Sequence, residues 1–169
     1  MDLPFGTRDQ RQSWDDYFLM LAAATATRAT CSLRKVGAVV VRDRRIVSTG
    51  YNGGPSGVAH CIDGGCPRAA SDPPAGSVYD TCIAIHAEAN ALLFCGPVER
   101  ENATIYCTDA PCFGCAKLIS NSGIAEVVAT GGRYETWDAT LDFLRRAGVR
   151  VRVLDGHDHQ AVLDLDAAG

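Results

Sequence analysis

The sequence predicts an α/β fold, a single sheet covered by helices on both faces, and three observations carry that expectation. Strand-like and helix-like segments alternate through the second half of the chain, the order that builds a sheet wrapped by helices. Of the 169 residues, 47% are hydrophobic and 21% charged, enough apolar side chain for one sizeable core and too little charge for a disordered chain. Turn-forming residues are concentrated in one stretch, so a single domain over 1–169 with one Gly/Pro/Cys-rich loop at about 53–82 is expected.

Taken in order, Ser13 suits a helix cap, with Asp15 and Asp16 in the first turn, where the helix dipole favours acids. Trp14, Tyr17, Phe18, Leu21 and Ala24 then recur at helical spacing. Residues 36–41 and 46–51 are β-rich runs, and Asp43-Arg44 between them suits a tight hairpin. From 53 to 80 the chain is turn chemistry: Gly53-Gly54-Pro55-Ser56-Gly57, Gly64-Gly65 and Asp72-Pro73-Pro74-Ala75-Gly76. An unsupported loop of this length is unusual in a compact domain, and His60, Cys61, Cys66 and Cys82 in or beside it suggest a metal staple. The pattern then predicts helix 84–95 stopped by Gly96-Pro97, strand 104–108, a helix from 112 to about 122 stopped by Gly123, strand 125–129, helix 135–147 ended by Gly148, and strand 149–154. The tail from about 155 is acidic and weakly patterned.

Charge narrows the function classes. The net charge is −4, and the basic clusters are short: Arg42, Arg44 and Arg45, then Arg145, Arg146, Arg150 and Arg152. These read as solvated faces, and binding of long nucleic acid is not expected. No stretch approaches the apolar length of a membrane span, and the first residues lack the basic-then-apolar order of a signal peptide. The eight cysteines therefore read as thiols of a reduced, cytoplasmic metalloprotein and not as a secreted disulfide scaffold. Cys95 and Cys107 read as core cysteines, and His157 and His159 as solvated tail residues.

Two short motifs carry the chemistry, His86-Ala87-Glu88 and Pro111-Cys112-Phe113-Gly114-Cys115. They supply one imidazole, two thiolates and one carboxylate: three zinc ligands with the fourth position open, plus a proton-moving group. Either motif alone is weak, since redox dithiols and structural zinc sites share CxxC. In this order they match the H-x-E…P-C-x-x-C pattern of zinc-dependent nucleobase deaminases. Glu88 lies about 200° around an ideal helix from His86, so both can face one metal only if His86 sits at the helix entry. Cys112 and Cys115 share one face of a first helical turn, where the dipole favours thiolate. In that chemistry a zinc-activated hydroxide attacks an amidine-like carbon such as C4 of cytosine, and Glu88 takes the water's proton and passes it to the ring nitrogen.

The chain resembles the deoxycytidylate (dCMP) deaminases, including the bacterial late-competence operon type. The resemblance runs from about Ser13 to Leu154 and rests on Ser13-Trp14-Asp15-Asp16-Tyr17-Phe18, Val36-Gly37-Ala38, Gly50-Tyr51-Asn52-Gly53, His86-Ala87-Glu88-Ala89-Asn90-Ala91 and Pro111-Cys112-Phe113-Gly114-Cys115-Ala116-Lys117. It implies a cytidine-deaminase-like fold with a five-stranded mixed sheet in the order 2-1-3-4-5. It implies zinc at His86, Cys112 and Cys115, with Glu88 as proton shuttle and dCMP converted to dUMP. Asn52 and Ala87 are implied substrate contacts, Asn52 at the sugar 3′-hydroxyl, and Tyr134 flanks the base or nucleotide. Arg34 and Lys35, with Arg28 and Arg133, are the candidate phosphate partners. A homo-oligomer, hexameric in many relatives, and regulation by dCTP and dTTP near the Tyr51–Pro55 loop are implied as well. Cys31, Cys61, Cys66 and Cys82, with His60 as substitute, are the candidate ligands of a second, structural zinc. The alternatives are a deaminase for another base, modified nucleotide or biosynthetic pyrimidine, and a non-catalytic zinc module for DNA uptake. Glu88 argues against the last, because a structural zinc needs no proton shuttle.

Overall fold

The computed structural model describes residues 11–71, 81–131 and 134–154. The tail from 155, with His157 and His159, lies outside the described residues, as do 72–80 and Arg133. Helix α1 spans Trp14–Ala26, and the Ser13 hydroxyl accepts a hydrogen bond from the Asp16 backbone N–H at 3.1 Å, the expected cap. Strands β1 (Gly37–Arg42) and β2 (Arg45–Tyr51) form an antiparallel hairpin. Its two-residue turn, Asp43 (φ 50°) and Arg44 (φ 60°), has the left-handed geometry that matches strand twist. Helices α2 (Pro67–Ala70), α3 (Ala87–Leu93) and α4 (Pro97–Arg100) come next. β3 (Thr104–Cys107), α5 (Phe113–Ser120), β4 (Glu126–Ala129), α6 (Trp137–Arg146) and β5 (Arg150–Val153) complete the order.

The sheet order is β2-β1-β3-β4-β5. β1 is antiparallel to both β2 and β3, while β3, β4 and β5 are parallel, so the expected mixed five-stranded sheet is present. Side chains alternate along each central strand. Ala38, Val40, Ile105, Cys107, Val127 and Ala129 belong to a core that includes Ala91, Ile119 and Leu144 of α3, α5 and α6. Val39, Val41, Tyr106 and Val128 point the other way, onto Phe18, Leu19 and Ala22 of α1. Cys95 and Cys107 are buried, as a core role requires.

Four sequence expectations need correction. The buried stripe of α1 is Phe18, Leu19, Ala22, Ala23 and Ala26, while Trp14, Tyr17 and Ala24 are exposed. Close crossing explains it: a Cβ on Gly37 would collide with the Ala22 carbonyl and the Ala26 nitrogen, so small residues must face β1. The helix expected over 84–95 is shorter, because Ile85 pairs with Gly53 in an antiparallel bridge that holds the chain extended up to His86. The loop after 53 is not structureless, since it carries a 3₁₀ turn at Cys61–Asp63 and α2. Both α2 and α4 open on proline at the first helical position, a start signal that the Gly/Pro richness masked. Finally, Arg152 is exposed as expected but is not a lone surface charge. It bonds both Asp15 oxygens on α1, at 2.5 and 3.0 Å, and Glu126 on β4 at 3.0 Å, while Tyr106 donates its hydroxyl to Asp15 at 3.0 Å.

Candidate active site

Two helix entrances converge on one point. His86 is the N-cap of α3, extended at φ −68° and ψ 154°, so it is released from helical geometry and can face the same point as Glu88. Cys112 is the N-cap of α5, and its sulfur accepts the Cys115 backbone N–H at 3.4 Å. His86 Nδ1 lies 3.4 Å from Cys112 Sγ and 3.5 Å from Cys115 Sγ. A tetrahedral zinc with ordinary Zn–N and Zn–S bonds separates such ligands by about 3.5 Å. Among the described residues this is the group of three metal-binding side chains whose ligand atoms all lie within 4.8 Å of one another. Donor chemistry and spacing both fit zinc, and three protein ligands leave its fourth position open.

The electrostatics suit that task. The Cys115 thiol, His86 and the Cys115 backbone N–H stabilise the Cys112 thiolate and, against burial, pull its pKa down to about 4. His86 is raised, chiefly by its bond to Cys112, and Cys115 is raised by its bond to Cys112 and by burial. Glu88 is 4% exposed and points into the same site. Burial raises its pKa, opposed by its own backbone N–H, by His86 and by the Cys115 thiol. A carboxyl pushed upward beside a water-activating metal is poised to hold and release a proton.

A cavity of about 270 Å³ opens over this point. Its wall includes Asn52, His86, Ala87, Glu88 and Tyr134 together with Arg34. Asn52 is buried, accepts from Val36 N and donates to the Arg34 carbonyl, each at 2.8 Å, so its amide braces the strand entering the site. Arg34 is held by Asp109 through two bonds, Nε at 2.6 Å and Nη2 at 2.7 Å. Lys35 and Arg28 are exposed and are not part of the cavity wall. Two charged wall residues escaped the sequence reading, Asp109 and Arg68. Asp109 sits just before Ala110-Pro111-Cys112, a position that could have flagged it. Arg68 follows Cys66-Pro67 in a stretch that read as loop.

Beside the cavity, Cys31, Cys61 and Cys66 pack into one buried cluster with Cys82 against it, and Cys31 and Cys82 also line the cavity. The Cys61 thiol is pushed up to about 12 by burial and by donation to Cys66. Burial also raises Cys66, but the backbone N–H groups of Ile83, Ala69 and Arg68 and the Cys61 thiol outweigh it and bring Cys66 to about 7. His60, the substitute ligand, instead meets the Thr30 hydroxyl through Nδ1 at 3.1 Å.

Comparison with known proteins follows the same lines. The family model of the cytidine and deoxycytidylate deaminase zinc-binding region matches residues 12–130. A deoxycytidylate deaminase of Schizosaccharomyces pombe is 45% identical over 144 residues, 84% of this chain but 44% of that protein, so the chain spans under half the length of that relative. A deoxycytidylate deaminase of Mycobacterium phage D29 is 50% identical over 123 residues, 70% of this chain and 94% of that protein. Among solved structures, the dCMP deaminase of cyanophage S-TIM5 in complex with dCMP and dUMP superposes with a TM-score of 0.62 at 25% identity, covering 86% of this chain and 99% of that one. Because the family match takes in every cavity residue named above except Tyr134, and with them both converging helix entrances, this chain belongs to the cytidine and deoxycytidylate deaminase family.

Proposed function

We propose that the protein hydrolyses dCMP to dUMP and ammonia. One observation carries the reading: a buried carboxylate, Glu88, that lines the cavity together with His86 of the His86/Cys112/Cys115 triad. Zinc held by the triad supplies a Lewis acid that lowers the pKa of water towards neutrality. The chain supplies the rest. Glu88 accepts the water's proton, returns it to the pyrimidine ring nitrogen and then assists the departing amine. Ala87, fully buried between His86 and Glu88, offers backbone to the base, and Asn52 and Tyr134 orient sugar and ring. The deoxycytidylate deaminases similar to this chain and the cyanophage complex with dCMP and dUMP support the choice of substrate.

Three further parts of the reading rest on separate observations. A second zinc at the Cys31/Cys61/Cys66/Cys82 cluster is supported by the shared packing of these thiols. Self-association is supported by Leu93, Phe94 and Val98, which are all largely exposed around the α3–α4 junction. A reducing, cytoplasmic setting is supported by eight unpaired cysteines, and no described helix is long and apolar enough to cross a membrane. The test of the whole is ammonia release over dCMP, CMP, deoxycytidine, cytosine and guanine. The highest kcat/KM is expected on dCMP, and equal or better turnover of deoxycytidine or of a free base defeats the proposal.

A further inference from the structure

Two sequence motifs that lie far apart in the chain meet at one hydrogen bond. Asn90, in His86-Ala87-Glu88-Ala89-Asn90-Ala91, donates from Nδ2 to the carbonyl of Tyr51, in Gly50-Tyr51-Asn52-Gly53, at 2.7 Å. Neither metal binding nor the proton shuttle uses Asn90, which is half-buried and not part of the cavity wall. It lies two residues after Glu88, about 200° further around α3. Glu88 therefore faces the cavity while Asn90 reaches the end of β2.

Sheet geometry explains why that carbonyl is there to be taken. β2 is an edge strand, and its Tyr51 is paired with Gly37 of β1. Gly37 turns both its polar groups to the other side, accepting from Thr108 N at 3.0 Å and donating to the Thr108 hydroxyl at 3.1 Å. The Tyr51 carbonyl thus points away from β1 and falls to a side chain. Its bond to Asn90 closes a ring. From Tyr51 the chain runs through Asn52 to Gly53, which exchanges two backbone hydrogen bonds with Ile85, at 2.9 and 3.2 Å. His86 follows, and its carbonyl accepts from Asn90 N at 2.9 Å.

The ring holds the entrance of α3 from outside. A seven-residue helix whose N-cap, His86, makes no side-chain capping bond has little stability of its own. Asn52, on the same ring, also grips the segment entering β1, through Val36 N and the Arg34 carbonyl, each at 2.8 Å. Residues 51–53 therefore hold the helix that carries the proton shuttle and the wall that faces it. Small displacements between such groups are costly in rate, because catalysis needs reacting groups in near-attack geometry.

We propose that Asn90 is a positioning residue: through the Tyr51 carbonyl it sets α3, with His86 and Glu88, against the wall made by Asn52 and Val36. The inference rests on the deaminase reading above and extends it to a side chain outside the cavity. Loss of one such bond corresponds to about 3- to 10-fold.

Steady-state kinetics of N90A, N90D, N90Q, N52A and the N90A/N52A double variant on dCMP and deoxycytidine test it. Zinc content, melting temperature and calorimetric dUMP binding are measured on the same preparations. N90A is expected to keep its zinc, to lower kcat by about 3- to 10-fold on both substrates, and to leave dUMP affinity within about twofold. N90D should lose more, because a carboxylate then faces the carbonyl, and N90Q, which keeps the amide donor, should recover part of the loss. In the N52A background N90A should cost less than about twofold, since residues acting through one network are not additive. Wild-type kcat in folded, zinc-loaded N90A overturns the assignment, even where its melting temperature falls. So does an equal loss with and without Asn52. Should N52A fail to fold, N90Q decides, and a kcat as low as that of N90D overturns the assignment. A wild-type enzyme without preference for dCMP defeats the substrate reading alone, and Asn90 is then judged on the substrate turned over best.

Discussion

Glu88→Gln separates the proton shuttle from everything else the site does. The substitution keeps side-chain volume in a position that is 4% exposed, so neither a cavity nor overpacking follows. It also removes a carboxyl that burial has raised above its ordinary value. A group raised on folding stabilises the native state below its unfolded pKa and loses that contribution as pH rises, so at neutral pH a buried Glu88 is a cost in the metal-free protein. The variant should therefore melt at or above the wild-type temperature without metal. The zinc ligands are untouched, so zinc content should stay at the wild-type level. What is lost is general acid–base catalysis, expected to lower kcat by about 10²- to 10⁴-fold, or roughly 3–5 kcal/mol of barrier. The assay is ammonia release from dCMP at saturating substrate, with elemental zinc and thermal unfolding measured on the same preparation. Zinc-loaded, folded E88Q turning over within tenfold of wild type refutes the role given to Glu88.

Three other outcomes are expected. Gly50→Ala places a Cβ against the Ala87 carbonyl and the Ala91 nitrogen, backbone of α3 that cannot step aside, so it should destabilise by about 1–3 kcal/mol and weaken zinc retention by shifting His86; denaturant unfolding and chelator competition measure both. Cys61→Ser should lower the melting temperature more than kcat, and elemental analysis of reduced wild type should find two zinc ions per chain, a count of one removing the structural metal. Tyr106 is raised by burial and by its bond to Asp15, so its stabilisation is complete below the unfolded pKa near 10 and fades as pH climbs above it. Melting temperatures from pH 8 to 11 should accordingly fall less steeply for Tyr106→Phe than for wild type.

The catalytic end of the site was legible in the sequence because its parts are local. His86 and Glu88 are two residues apart, Cys112 and Cys115 three, and each motif needs only a helix entrance to become geometry. The hairpin was legible for the same reason, from two residues between two β-rich runs. What stayed hidden depends on tertiary contact. The shortening of α3 comes from Ile85 pairing with Gly53 across the intervening loop. The buried stripe of α1 is set by the absence of a side chain at Gly37, not by the apolar periodicity of α1 itself. Asp109 acquires meaning only when β3 brings it to Arg34, and Arg68 only when the 61–70 segment packs on Cys31 and Cys82 beside the cavity.

This difference in origin divides the labour of the site. The metal-binding point is built by main-chain geometry: the N-caps of α3 and α5, one reached through the Gly53–Ile85 bridge after β2, the other directly after β3. Those elements are also core elements, since Ala87 and Ala116 are fully buried in the central cluster, so a change that moves the chemistry also disturbs the fold. Other wall residues come from the segment entering β1, which carries Arg34 and Val36, and from α2, which carries Arg68. On the proposed function, the bond-breaking step belongs to the two helix entrances that carry His86, Glu88, Cys112 and Cys115, and the choice of substrate to the rest of the cavity wall.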